Sequence, residues 1–127
     1  MGSETLLQLD NITQIFTWHN KPVRAVDGVS LSVGEGETLC LVGESGCGKT
    51  TVGKIACGLR KPTAGRVLYH GKDIWAMSKS EFNNYRLAVQ IIHQDPYASL
   101  NPVQTVNQIL GAPLERHNLV KNRTQLR

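Results

Sequence analysis

The stretch Gly43-Glu44-Ser45-Gly46-Cys47-Gly48-Lys49-Thr50 constrains this chain more than any other. It follows the apolar run Thr38-Leu39-Cys40-Leu41-Val42, which reads as a strand, and leads into Thr51–Leu59, which reads as a helix. Strand, glycine-rich turn, lysine, hydroxyl and helix, in that order, satisfy G-x-x-x-x-G-K-[ST] in the setting that gives the pattern meaning. The expectation is a loop that holds the phosphates of a nucleotide, ATP first among them. The competing reading is a glycine-rich turn that merely caps a helix.

The residue types follow from the chemistry. A triphosphate needs many donors at close range. Consecutive backbone N–H groups at a helix N-terminus supply them together with a favourable dipole. Gly43, Gly46 and Gly48 allow the backbone to come close, and Glu44, Ser45 and Cys47 complete the run of loop amides. Lys49 is expected at the β- and γ-phosphates as a point charge. The Thr50 hydroxyl is expected on Mg²⁺, a hard cation that prefers oxygen, and Thr51 adds a donor for the α-phosphate.

Bulk properties narrow the partners. A chain of 127 residues makes one small domain or part of a larger one. Its net charge of +4 suits an anionic ligand, but Lys and Arg form no long basic run and aromatics make up only 6%, so nucleic-acid binding leaves no footprint. The three cysteines have neither metal-ligand nor CxxC spacing. Cys40 and Cys57 lie in apolar runs and read as small buried hydrophobes. Cys47 has two readings, a thiol acidified by the helix N-terminus or filler at an unconstrained loop position. The N-terminus lacks a basic segment followed by an apolar stretch, and no apolar run reaches membrane-span length, so the expected setting is cytosolic and reduced.

Taken in order, Leu6–Phe16 reads as a strand interrupted near Asp10-Asn11, with Leu7, Leu9, Ile12 and Ile15 as core candidates. Asn20-Lys21-Pro22 reads as a turn. Val23–Val33 reads as a second strand, kinked or bulged at Asp27-Gly28 and pairing antiparallel with the first, before a tight turn at Gly34–Glu37. Beyond the first helix, Arg60–Gly65 is a loop and Arg66–Tyr69 a short strand. His70–Asp73 is a turn from which Ile74-Trp75 pairs back. Ser78 and Glu81 have capping-box spacing, so Ser80–Arg86 is a helix. Leu87–His93 is an apolar strand and Gln94–Pro102 a loop. Thr105–Glu115 is a helix that Pro113 is expected to break near its end. His117–Arg127 is a polar tail.

On these residues the chain resembles the N-terminal half of an ATP-binding-cassette (ABC) ATPase subunit, from Leu6 to about Glu115. The phosphate loop, the run Val26-Asp27-Gly28-Val29-Ser30-Leu31, and Gln94 followed by Asp95-Pro96-Tyr97-Ala98-Ser99-Leu100-Asn101-Pro102 carry the resemblance. The last run and the form Glu44–Lys49 resemble the oligopeptide, dipeptide and nickel importers in particular. The resemblance implies an α/β P-loop NTPase fold of ABC type: a RecA-like core with an antiparallel β prelude, incomplete without its C-terminal half. Residues 1–102 would hold the partial nucleotide-binding core and 103–127 the start of a helical subdomain. Phe16 would stack on adenine, with Trp18 as runner-up, and Gln94 would touch Mg²⁺ and the attacking water. His93 stands where the family mostly has Phe. The implied partners are ATP, transmembrane permease subunits and a second ATP-binding subunit. The implied location is the cytoplasmic face of the plasma membrane.

The family's signature motif, its acidic strand with the catalytic glutamate and its switch histidine have no match among these residues. In-line attack on the γ-phosphate needs a positioned water and a complete electrostatic clamp, so the chain alone is expected not to hydrolyse ATP usefully. An apolar strand edge would be left open, inviting self-association. Two other classes compete with this one. A small kinase or GTPase is disfavoured because two strand patterns precede the loop and NKxD and DxxG runs are missing. A soluble ABC protein of translation or DNA repair is disfavoured by the run from Asp95 to Pro102.

Overall fold

The computed structural model describes residues 4–120, so the part of the polar tail beyond Val120 lies outside the described residues. The chain divides into two compact units, Met1–Ile91 and Ile92–Arg127. The first is an antiparallel sheet with helices. It contains β1 (Thr5–Trp18), β2 (Lys21–Gly34), helix α1 (Lys49–Ala56), β3 (Ala64–Tyr69), β4 (Lys72–Asp73), a 3-10 turn at Ile74–Ala76, and helix α2 (Lys79–Ala88). The strand order is β2-β1-β3-β4, antiparallel throughout. The second unit contains a loop and helix α3 (Val106–Arg116).

Local chemistry sets the sheet. The first hairpin turns on His19 and Asn20, both left-handed at φ 47° and 59°, with Trp18 facing Lys21. Two left-handed central residues match the natural strand twist. The turn therefore falls earlier than the expected Asn20-Lys21-Pro22. Pro22 instead pairs with Thr17 within β2, an edge strand, where a missing N–H is tolerated. The same device recurs at His70-Gly71, φ 47° and 75°, and joins β3 to β4. Ile74 and Trp75 do not pair back. Asp73 Oδ1 accepts from the Trp75 N–H at 3.0 Å and winds them into the 3-10 turn.

The interruption expected at Asp10-Asn11 is a bulge, with register shifts along both edges of β1, against β2 and against β3, and Asn11 at φ 51°. It decides what is buried. Leu9 and Ile12 are three apart and would face opposite sides of a regular strand, yet both are fully buried. The extra residue rephases the strand and aims both inward. The matching irregularity in β2 is at Gly28, φ 62°, whose N–H donates to Thr13 Oγ1 at 3.1 Å. Leu9, Ile12 and Val26 then meet Val52 and Ile55 of α1, Val67 of β3, Ile74 and Tyr85 in one core. Leu7 and Ile15 are half-buried.

The helices follow their caps more than their apolar pattern. Helix α2 begins with the expected capping box: Ser78 Oγ accepts from the Glu81 N–H at 3.3 Å, and Glu81 Oε2 from the Ser78 N–H at 2.9 Å. Helix α1 stops at Ala56, short of the expected Leu59. Gly58, φ 66°, donates to the Ile55 carbonyl, and the Leu59 N–H reaches back to Lys54 at 2.9 Å. That is a Schellman ending built on a left-handed glycine. Pro113 does not break α3. It sits inside the helix, which runs to Arg116.

Two expected strands are not formed. Thr38–Val42 and the stretch 90–93 have no regular structure, and Leu87 and Ala88 belong to α2. A strand exists only as a paired strand, and among the described residues none pairs with either run. Val42 and Ile92 are 94% and 96% exposed. Cys40, expected to be buried, is likewise exposed.

Candidate phosphate-binding site

The loop from Gly43 to Thr50 delivers the backbone into the first turn of α1. Gly48 is the N-cap residue, at φ 94° and ψ 0°, and the Val52 N–H donates to its carbonyl at 2.9 Å. A Cβ on Gly48 would lie 2.5 Å from the Ala25 carbonyl oxygen. Both the left-handed dihedral and the close approach of β2 therefore require glycine. No acidic residue stands in the first turn of α1, so no carboxylate competes for the helix N-terminus.

Lys49 folds back into the loop. Its Nζ donates to the Gly43 and Glu44 carbonyls, at 2.6 Å each, and to Cys47 Sγ at 3.2 Å. The loop is thus wrapped around one ammonium. This arrangement fits a bound triphosphate. Phosphate oxygens are stronger partners for the ammonium than neutral carbonyls, so they can replace them without moving Lys49 from the loop. Thr50 is exposed at the same helix start, and Thr51 is half-buried beside it. Among the described residues no group of three His, Cys, Asp or Glu side chains gathers to hold a metal. Within this unit the Thr50 hydroxyl is the side-chain oxygen that would meet a Mg²⁺, a cation that prefers oxygen.

Cys47 lies within hydrogen-bond reach of the Lys49 ammonium. The hydrogen bond from Lys49, more than any other influence, holds its thiol below the usual range, and the residue is exposed. Burial pushes the Cys57 thiol the other way.

Phe16 lies half-buried near the end of β1, in the same unit as the loop. The Arg60 guanidinium sits over its ring, 4.9 Å from the centroid. No local pattern signals this contact, because the two residues are far apart in the sequence and meet only in the folded unit. Trp18 is at the hairpin tip, 69% exposed and edge-on to His19. Gln94 lies in the second unit. The run after it is built from turns that Asp and Asn make with their own backbone. Asp95 Oδ1 accepts from the N–H groups of Tyr97 and Ala98, at 2.9 and 3.2 Å, and Asn101 Oδ1 from Val103 at 3.1 Å. Tyr97 and Val103 are left largely exposed. A separate groove of about 430 Å³ lies between the β3–β4 hairpin and α2, lined by residues such as Tyr69, Met77 and Tyr85, with no phosphate-loop residue among them.

Comparison with known proteins identifies the family. The ABC transporter family profile matches residues 26–126. The oligopeptide transport ATP-binding protein OppF of Salmonella typhimurium is 46% identical over 107 residues, covering 84% of this chain and 32% of that protein. The oligopeptide transport ATP-binding protein AppF of Bacillus subtilis is 41% identical over 126 residues, covering 93% of this chain and 38% of that protein. The chain thus spans about a third of the length of the curated relatives it matches. Among solved structures, the dimeric bacterial ABC transporter cassette MJ0796 superposes with a TM-score of 0.71 at 27% identity, over 87% of this chain and 47% of that one. The same cassette bound to ADP and Pi gives 0.70. Loop, fold and sequence relatives converge, and the chain belongs to the ABC transporter ATP-binding family.

Proposed function

We propose that this chain is the ATP-binding portion of an ABC importer ATPase that couples ATP binding and hydrolysis to the uptake of peptides. The observation that carries the proposal is the Lys49 ammonium held by two loop carbonyls at the start of α1. The peptide cargo is supported by the names of the relatives, which are oligopeptide transport ATP-binding proteins. In this reading the backbone amides from Gly43 to Thr51 cradle the phosphates and Lys49 takes the β- and γ-phosphate oxygens. Mg²⁺, when bound, would supply charge neutralisation for the phosphates, and Thr50 and Gln94 are the residues proposed to hold it. Gln94 also orients the attacking water. Phe16 stacks on the adenine. Residues 1–102 serve as the partial nucleotide-binding core and 103–127 open the helical subdomain.

The same reading supplies the partners. A second ATP-binding subunit closes the site, as the dimeric MJ0796 cassette suggests by analogy. Transmembrane permease subunits receive the work, which puts the protein at the cytoplasmic face of the plasma membrane. No helix among the described residues is long and apolar enough to cross a membrane. Calorimetric titration with Mg-ATP tests the core of the proposal. Lys49→Ala removes charge-assisted bonds worth roughly 1.5–3 kcal/mol each, so affinity should fall by at least an order of magnitude. Unchanged affinity would remove the phosphate-loop assignment.

A further inference from the structure

Arg60 is placed with unusual care for an exposed residue. On its N-terminal side, the Schellman ending at Gly58 and Leu59 fixes the direction in which the chain leaves α1. On its C-terminal side, Thr63 is tied to β1 twice. Its N–H donates to the Thr13 carbonyl at 3.0 Å, and its Oγ1 accepts from the Ile15 N–H at 3.1 Å. Ile15 is the residue before Phe16. The three-residue connection Arg60–Pro62 is therefore anchored at both ends, and its far anchor is the backbone next to the ring that Arg60 covers. The ion pairs among the described residues, Arg24–Asp27, Arg66–Asp10 and Lys72–Glu81, do not include Arg60. Its guanidinium instead lies 4.9 Å from the Phe16 centroid, within cation–π range.

We infer that Arg60 is a positioning residue of the base-binding element: its guanidinium holds the Phe16 ring from one face and leaves the other face for the adenine. This rests on the reading that Phe16 receives the base. The Phe16 ring is half-buried near the end of β1. A cation on one face restricts its tilt through the ring quadrupole. A base arriving on the opposite face finds the platform already oriented, which lowers the ordering cost of binding. The ring, the cation and the base then form a three-layer stack.

The experiment compares Mg-ATP with magnesium tripolyphosphate, which has the phosphates and no base, by calorimetry on the full chain. Arg60→Ala should lower the ratio of ATP to tripolyphosphate affinity about two- to five-fold, the range of an exposed cation–π contact. Arg60→Lys keeps a cation on the ring and should recover part of that ratio. Phe16→Ala is run beside them. If Phe16→Ala lowers the ratio and Arg60→Ala leaves it unchanged, the base stacks on Phe16 but Arg60 has no part in it. If Arg60→Ala weakens both ligands equally, Arg60 acts through fold or net charge and the inference is wrong. If Phe16→Ala itself leaves the ratio unchanged, the stacking assignment falls and takes this inference with it.

Discussion

At the scale of single residues, Lys49 and Cys47 form one electrostatic unit. The ammonium donates to the thiol at 3.2 Å and holds its pKa below the ordinary value. A lowered pKa means more thiolate at neutral pH, so Cys47 should react with iodoacetamide faster than Cys57, whose thiol burial shifts upward. Lys49→Met should slow alkylation of Cys47 and leave Cys57 unaffected; mass spectrometry after timed quenching reads both sites. Equal rates at Cys47 with and without Lys49 would mean that the hydrogen bond does not govern the thiol. Gly48 is a second point where one atom decides the loop. Gly48→Ala puts a methyl 2.5 Å from the Ala25 carbonyl oxygen at φ 94°. The backbone strain alone is about 1–3 kcal/mol. The variant should therefore unfold at lower urea and bind Mg-ATP more weakly, whereas Gly53→Ala, within α1 and with open space around it, should do neither.

At the scale of elements, the caps were the most legible part of the sequence. Ser78 and Glu81 announce α2 three residues apart, and the helix starts where they place it. Glu81 has a second job, because its Oε1 takes the Lys72 ammonium from the β3–β4 hairpin. The Lys72 hydrogen bond is the main cause that lowers its pKa from 4.5 to about 2, with the Ser78 contacts behind it. The sign follows directly. A carboxylate with a depressed folded pKa stabilises the fold above its unfolded pKa, and that contribution is lost as pH falls from about 4.5 toward 2. Glu81→Gln keeps the capping geometry and abolishes the charge, so its urea midpoint should vary less with pH across that window than the parent's. Identical pH profiles would deny Glu81 this role. Turn positions were legible only to within a residue or two. His19 and Asn20 are unremarkable as a dipeptide, and the left-handed pair they form was hidden behind the louder Pro22, which the edge strand accommodates. Pro113 misled in the same way, since α3 continues through it.

At the scale of the whole molecule, what the sequence showed and what it missed separate by the range of the contact. The glycine-rich turn into α1, the antiparallel prelude and the bulge at Asp10-Asn11 are written in short runs and are formed in the structure. At Thr38–Val42 and Leu87–His93 the strand signal is β-branched and apolar content alone, and content does not supply a neighbour. Arg60 over Phe16 was invisible because it depends on how α1 packs against the sheet. The unformed strands lead to the largest prediction. The MJ0796 cassette has about twice the length that this chain covers, and Leu39, Leu41 and Val42 are exposed on the segment leading into the phosphate loop. Exposed apolar segments of strand composition pair with whatever edge they meet. The 127-residue chain should therefore self-associate with rising concentration in sedimentation velocity, and Leu41→Lys should shift it toward monomer. A strictly monomeric parent with a cooperative thermal transition would count against this account. Fusing the C-terminal two thirds of a close relative such as AppF should order the same segment. Protection of the Leu39, Leu41 and Val42 amides from hydrogen exchange would report it. The fusion should also bring in the charged groups that in-line phosphoryl transfer requires, so steady ATP turnover should appear in the fusion and be negligible in the chain alone. If the chain alone matched the fusion's rate, the loop, Phe16 and Gln94 would have to be a complete catalytic site, and the composite-site account would be wrong.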